Sequence, residues 1–136
     1  MIQKLSHATV YVLDQDRAKD FYVGKLGFEV RTDQSMGGFR WLTVGSKSQP
    51  DIELILMKIA PGQMLDDASA AQIRALVEKG AFGIGVLESS DVRKDFEELS
   101  KKGVRFNGPP QERPYGIETV MQDDSGNWFS LVQRPG

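Results

Sequence analysis

Two residues stand out by type and setting. Glu53 is a single charge inside the apolar run Ile52-Glu53-Leu54-Ile55-Leu56, and His7 is the only histidine of the chain. A carboxylate buried without a partner costs several kcal/mol or is driven to protonate, so Glu53 must face a wet cavity or a partner. There it could ligate a metal, take a proton next to a carbonyl, or accept a hydrogen bond from a bound ligand; the other reading is a structural salt bridge. His7 could join it as ligand or base, although a lone histidine on a half-buried strand is more often a hydrogen-bonded packing residue. The chain has no cysteine, which removes disulfides, zinc thiolates, iron–sulfur clusters and thiol nucleophiles and suits a reducing compartment. No GxxxxGK loop occurs, Gly83-Ile84-Gly85 lacks the third glycine and helix of a dinucleotide fingerprint, and no serine lies in GxSxG.

The elements that would position these residues follow from periodicity. Leu5 to Leu13 alternates, with Ala8, Val10 and Val12 on one face and His7, Thr9 and Tyr11 on the other. Asp14 can cap a helix whose apolar positions are Ala18, Phe21, Tyr22 and Leu26, and Gly27 stops it. Phe28 to Arg31, Phe39 to Val44 and Ile52 to Met57 then read as three short strands. The order recurs: a strand at Gly83 to Leu87, a helix at Ser89 to Lys102 ended by Gly103, and strands at Val104 to Asn107, Ile117 to Gln122 and Trp128 to Gln133. Asp16, Lys19, Asp20 and Phe21 superpose on Asp91, Lys94, Asp95 and Phe96 at a constant offset, and Gly27 falls on Gly103 one residue later.

The expected fold is therefore α+β, one domain over 1–136 made of two tandem βαβββ repeats that form a curved mixed-sheet cup. Repeat one spans about 1–59, repeat two about 80–136, and a connector of about 60–79 carries a short helix in which Ser69 and Gln72 have capping-box spacing. The connector reads equally as a linker or as a lid or interface segment. Alternation nominates the cup lining: Thr9 and Tyr11 beside His7, Ile55 and Met57 beside Glu53, Trp41 and Thr43 on the third strand, and Trp128 with Ser130. Arg113 and Tyr115, in a proline-bounded loop, could reach a polar or anionic group of a ligand.

Lys and Arg number 17 against 19 Asp and Glu, spread without a long run of either sign, so a nucleic-acid partner is not expected. No stretch approaches the apolar length of a membrane span, and the N-terminus has no apolar signal core; a soluble, cytoplasmic protein is expected.

The duplicated order, Phe21-Tyr22 followed by Leu26-Gly27-Phe28, Pro109-Pro110 through Pro114-Tyr115-Gly116, and Asp124-Ser125-Gly126-Asn127 before the last strand resemble the vicinal-oxygen-chelate superfamily. That superfamily includes glyoxalase I, bleomycin-resistance proteins and extradiol dioxygenases. In metal-dependent relatives, four inward positions bind the ion; carried onto this sequence they are His7, Glu53, Gly83 and Ser130. Glycine offers no side-chain donor and serine a poor one, so the resemblance implies a small-molecule binder with no tightly held metal and no cofactor. The alternative is a divalent-metal lyase or dioxygenase using His7 and Glu53. Resemblance also implies a homodimer, with the cup closed either within one chain or across two.

Overall fold

The computed structural model describes residues 1–136. The first half runs β1 (His7–Val12), α1 (Gln15–Lys19, continued as a π-helical segment Asp20–Lys25), β2 (Glu29–Met36), β3 (Phe39–Gly45) and β4 (Glu53–Lys58). After α2 (Asp67–Glu78) the second half runs β5 (Gly83–Glu88), α3 (Val92–Lys101), β6 (Arg105–Phe106), β7 (Gln111–Arg113), β8 (Gly116–Gln122) and β9 (Trp128–Gln133). Each half folds into a mixed sheet, ordered β1-β4-β3-β2 and β5-β9-β8-β6, with β7 added to β8. The outer pairs β1/β4 and β5/β9 are parallel, and the other pairings are antiparallel.

The strand facing follows the alternation. Val10, Val12, Leu42, Val44 and Leu56 are buried against Ala18, Phe21 and Tyr22 of the first helix. The same cluster takes in Val104, Met121 and Phe129 of the second half, so the two halves join through their helix-side faces. Burial of side chains this size is worth about 1.5–3 kcal/mol each, and it leaves the opposite sheet faces open.

The helices correct the superposition of the repeats. Asp14 caps α1 by accepting from the Arg17 amide, and Asp91 caps α3 by accepting from Lys94, so the structural offset at the caps is 77 rather than 75. The matching Asp16-to-Phe21 letters are therefore two residues out of register. Gly27 and Gly103, with φ of 79° and 90°, close the helices at an offset of 76. The first helix thus holds one extra residue, and its π-helical turn absorbs it.

Other boundaries shift for local reasons. Gly37 and Gly38, with φ of 55° and 82°, make a tight turn that zips β2 to β3 out to Met36↔Phe39, extending β2 well beyond Arg31. Its outer half pairs only with β3 and leans on α1 through Arg40 to Asp33 (2.9 Å), Arg40 to Asp16 (2.7 Å) and Lys19 to Asp33 (2.9 Å). Hydrogen bonds from Arg40 and then Lys19 hold the Asp33 carboxyl well below the usual range. A strand forms at Gln111–Arg113, within the proline-bounded stretch read as loop, because it finds a partner in β8. The cap of α2 is Asp66, accepting from the Ser69 amide at 2.7 Å, rather than Ser69 itself.

The connector is a buttress. Ala70 and Val77 of α2 are buried with Ile59, and Tyr11, Leu13, Ile73 and Phe82 pack around them. A side chain at Gly126 would overlap the Val77 carbonyl, so the β8–β9 turn also sits directly on the end of α2.

Candidate functional site

Parallel pairing of β1 with β4 sets His7 opposite Glu53, Thr9 opposite Ile55 and Tyr11 opposite Met57. His7 Nε2 lies 3.5 Å from Glu53 Oε2, with the two side chains 36% and 26% exposed. Thr43 Oγ1 donates to Glu53 Oε1 at 2.7 Å. Thr43 is fully buried, so it holds the carboxylate from beneath and leaves Oε2 for His7 or for a ligand donor. Ser6 Oγ lies 2.9 Å from His7 Nδ1, which ties the other side of the ring. Trp41 completes the surround, its ring centroid 6.1 Å from that of His7.

Strand period extends this face further than the sequence reading took it. Phe39 is two residues before Trp41, and the ring centroids are 6.5 Å apart. Cross-strand pairing adds Gln34 beside Trp41 and Met36 beside Phe39. Met36 and Phe39 are 65% and 46% exposed. Alternation through Trp41 already marked Phe39, which opens the strand read from the sequence. Tyr11 contributes less than expected, because its ring packs into the α2 cluster and its carbonyl accepts from Asn127 Nδ2 at 2.8 Å.

The second half presents a different surface. Its ladder sets Gly83 opposite Trp128 and, beyond a bulge between Gly83 and Gly85, Val86 opposite Ser130. Since Val86 takes the place of Thr9 and Leu87 that of Val10, Ser130 corresponds to Ile55, and Trp128 to Glu53. The superposition of Ser130 on Glu53 is thus corrected by one strand repeat. The Trp128 indole lies over Gly83, where even a Cβ would overlap it. An indole occupies the space in which a second imidazole and a second carboxylate would have to meet.

The donor set therefore does not fit a divalent ion. His7 and Glu53 are two donors on one strand pair, and no group of three or more His, Cys, Asp or Glu side chains comes together. Arg113 and Tyr115 are both drawn to Glu118, the tyrosine donating to Oε1 at 2.6 Å and the guanidinium at 4.0 Å from the same oxygen. That bond raises the Tyr115 pKa. Neither residue bonds to the His7–Glu53 group. Val86, on the Ser130 face, is 64% exposed.

Two concavities lie away from this face. A groove of about 920 Å³ runs along the helix side between the halves, over Ala8, Leu54, Ile84, Met121 and Phe129. A smaller one of about 530 Å³ lies beside the joint between the first helix and the β8–β9 turn. At that joint Asp123 Oδ1 accepts the amides of Ser125, Gly126 and Asn127, each at 2.9 Å, while Oδ2 accepts Tyr22 Oη at 2.7 Å and Asn127 Nδ2 at 3.0 Å. Burial, and then the Asp123 charge, push the Tyr22 pKa up, which keeps the phenol protonated as donor.

A family model described as the Glyoxalase/Bleomycin resistance protein/Dioxygenase superfamily matches residues 4–131. The crystal structure of UcmS2 is 50% identical with a TM-score of 0.91, over 97% of this chain and 98% of that one. The crystal structure of TnmS3, an antibiotic binding protein from Streptomyces sp. CB03234, is 30% identical with a TM-score of 0.77, over 98% of each chain. Among curated proteins, the uncharacterized protein YurT of Bacillus subtilis (strain 168) is 30% identical over 96% of this chain and 99% of its own. With two βαβββ halves joined through their helix sides, and a sequence match over nearly its whole length, this chain belongs to the glyoxalase/bleomycin resistance protein/dioxygenase superfamily.

Proposed function

We propose that the protein binds a small molecule on the sheet face around Glu53, without a tightly bound metal. The observation that carries this reading is the Thr43–Glu53–His7 line. It is a carboxylate with one oxygen fixed, half-buried and bordered by Trp41, on a face that continues into the exposed Phe39 and Met36. An apolar aromatic surface with one oriented acceptor suits a flat ligand bearing a hydrogen-bond donor or positive charge. The likeness to an antibiotic binding protein supports the same reading.

Residues 1–136 act as one domain in this proposal, and the functional unit is a homodimer in the cytoplasm. Open apolar surface on both sheet faces, Phe39 on one and Val86 on the other, supports a cup closed across two copies. His7, Thr9, Ile55 and Met57 would line one wall, with Trp128, Ser130, Arg113 and Tyr115 on the other.

The test is intrinsic fluorescence of the two tryptophans during titration with bleomycin and a panel of polycyclic aromatic antibiotics. Saturable quenching that weakens in Glu53→Gln supports the reading. No response from any of them, together with turnover of a 2-oxoaldehyde–thiol adduct or a catechol on added metal, would favour the second reading. In that reading Glu53, held by Thr43, is the base of a lyase or dioxygenase.

A further inference from the structure

The chain has two asparagines, Asn107 and Asn127, and the structure gives them opposite surroundings. Asn127 is buried; its side-chain nitrogen donates to the Tyr11 carbonyl at 2.8 Å and to Asp123 Oδ2 at 3.0 Å, and its main-chain N–H donates to Asp123 Oδ1. Asn107 is exposed, lies in the bend just after β6, and is followed by Gly108. The Gly108 N–H donates to no main-chain carbonyl. The fold does not require glycine here, because its φ is not positive and a Cβ at Gly108 would meet nothing within 4 Å.

An asparagine side-chain amide next to an unhindered main-chain nitrogen is a reactive pair. With no Cβ on the following residue, nothing crowds that nitrogen as it approaches Asn107 Cγ. The peptide between the two residues is also held at both ends. The Asn107 N–H donates to the Val120 carbonyl at 2.9 Å, and the Gly108 carbonyl accepts from Thr119 Oγ1 at 2.7 Å. Thr119 is buried, so its hydroxyl depends on that bond.

We infer that Asn107 is a modification site, where the chain deamidates and isomerises without an enzyme. Hydroxide from solvent takes the Gly108 N–H proton, and the nitrogen forms a bond to Asn107 Cγ. The Cγ–Nδ2 bond breaks, the leaving nitrogen takes a proton from water and departs as ammonia, and a succinimide ring is left. Water then opens the ring at Cγ to give aspartate, or at the Asn107 main-chain carbonyl to give isoaspartate, with no change of oxidation state. Either product adds a negative charge to the sheet face that Asn107 shares with Val120 and Ser130. Isoaspartate also lengthens the main chain by one carbon between the bonds to Val120 and Thr119, which disturbs the register where β6 leads toward β7. This site stands or falls independently of the Glu53 reading.

Incubation of the full chain at 37 °C and pH 8.5, sampled over days by mass spectrometry, tests the assignment. Cleavage after glutamate separates the two sites, Asn107 in the peptide Leu99–Glu112 and Asn127 in Thr119–Gly136. The expected result is exchange of the amide nitrogen for oxygen in the first peptide alone, faster at pH 8.5 than at pH 6, with isoaspartate at position 107 detected by an isoaspartyl methyltransferase. Gly108→Ala, for which the structure leaves room, should slow the exchange about tenfold, since the added methyl crowds the attacking nitrogen. An unchanged far-UV spectrum certifies that this variant is folded, and localisation in the wild-type chain does not depend on it. No exchange at Asn107, exchange at Asn127 first, or equal rates in wild type and folded Gly108→Ala overturns the inference.

Discussion

The indole of Trp128 lies across the Cα of Gly83, in the space where a side chain at Gly83 would begin. These two residues are ladder partners, as His7 and Glu53 are in the first half. The second half has thus replaced a donor pair with a packed ring.

Metal affinity should follow from that replacement. Wild-type protein is expected to show no submicromolar Ni²⁺ or Zn²⁺ binding by calorimetry. Gly83→His combined with Trp128→Glu removes the obstructing ring and supplies two donors, and should raise affinity by about a hundredfold or more. Gly83→His with Ser130→Glu leaves the ring in place and should gain little. A gain in the Ser130 pair alone would mean that the register drawn from the bulge between Gly83 and Gly85 is wrong.

Glu53→Gln should leave the fold in place. The amide oxygen can still accept from Thr43, and a half-exposed pair with His7 at 3.5 Å is worth no more than about 1 kcal/mol. Denaturant midpoints should therefore stay close to wild type while quenching by an aromatic ligand weakens. A large loss of stability with affinity unchanged would make Glu53 a structural partner instead.

Tyr22→Phe tests the joint between the halves. It removes the donor to Asp123 Oδ2 and leaves a buried carboxylate with less than its full set, at a cost of about 1.5–3 kcal/mol. Asp123→Asn should cost at least as much, since with its carbonyl on the three turn amides its NH2 would stand where Oδ2 accepts from Tyr22 Oη and Asn127 Nδ2. Urea unfolding of both variants checks this, and a change under about 0.5 kcal/mol in either would contradict it.

Asp124 makes stability depend on pH in the unusual direction. Burial, and then the neighbouring Asp123 charge, raise its pKa to about 6 from 3.8. The folded state therefore holds this proton more tightly than the unfolded chain, so the penalty is present above pH 6 and is relieved as pH falls from 6 toward 4. Asp124→Asn should be more stable than wild type at pH 7, by on the order of 1 kcal/mol after allowance for its partial exposure. Thermal melts at pH 7 and pH 5 should show that advantage shrinking at the lower value.

Alternation and helical period along the chain were enough to determine the β1 facing, the helix stops at Gly27 and Gly103, the duplicated order, and the choice of His7 and Glu53 as candidates. Each of these depends on residues within one or two turns or strands of one another, where spacing converts directly into facing. What depended on tertiary structure was register. Identical letters at an offset of 75 suggested one superposition, whereas the Asp14 and Asp91 caps impose 77, with the difference stored in a π-turn and a bulge that no local pattern announces. The same is true of Trp128, which by type alone could line a cup, pack a core or fill a vacancy. Only the pairing of β5 with β9 shows that it fills the space above Gly83, because the length of a bulged strand decides which side chain meets which across a ladder.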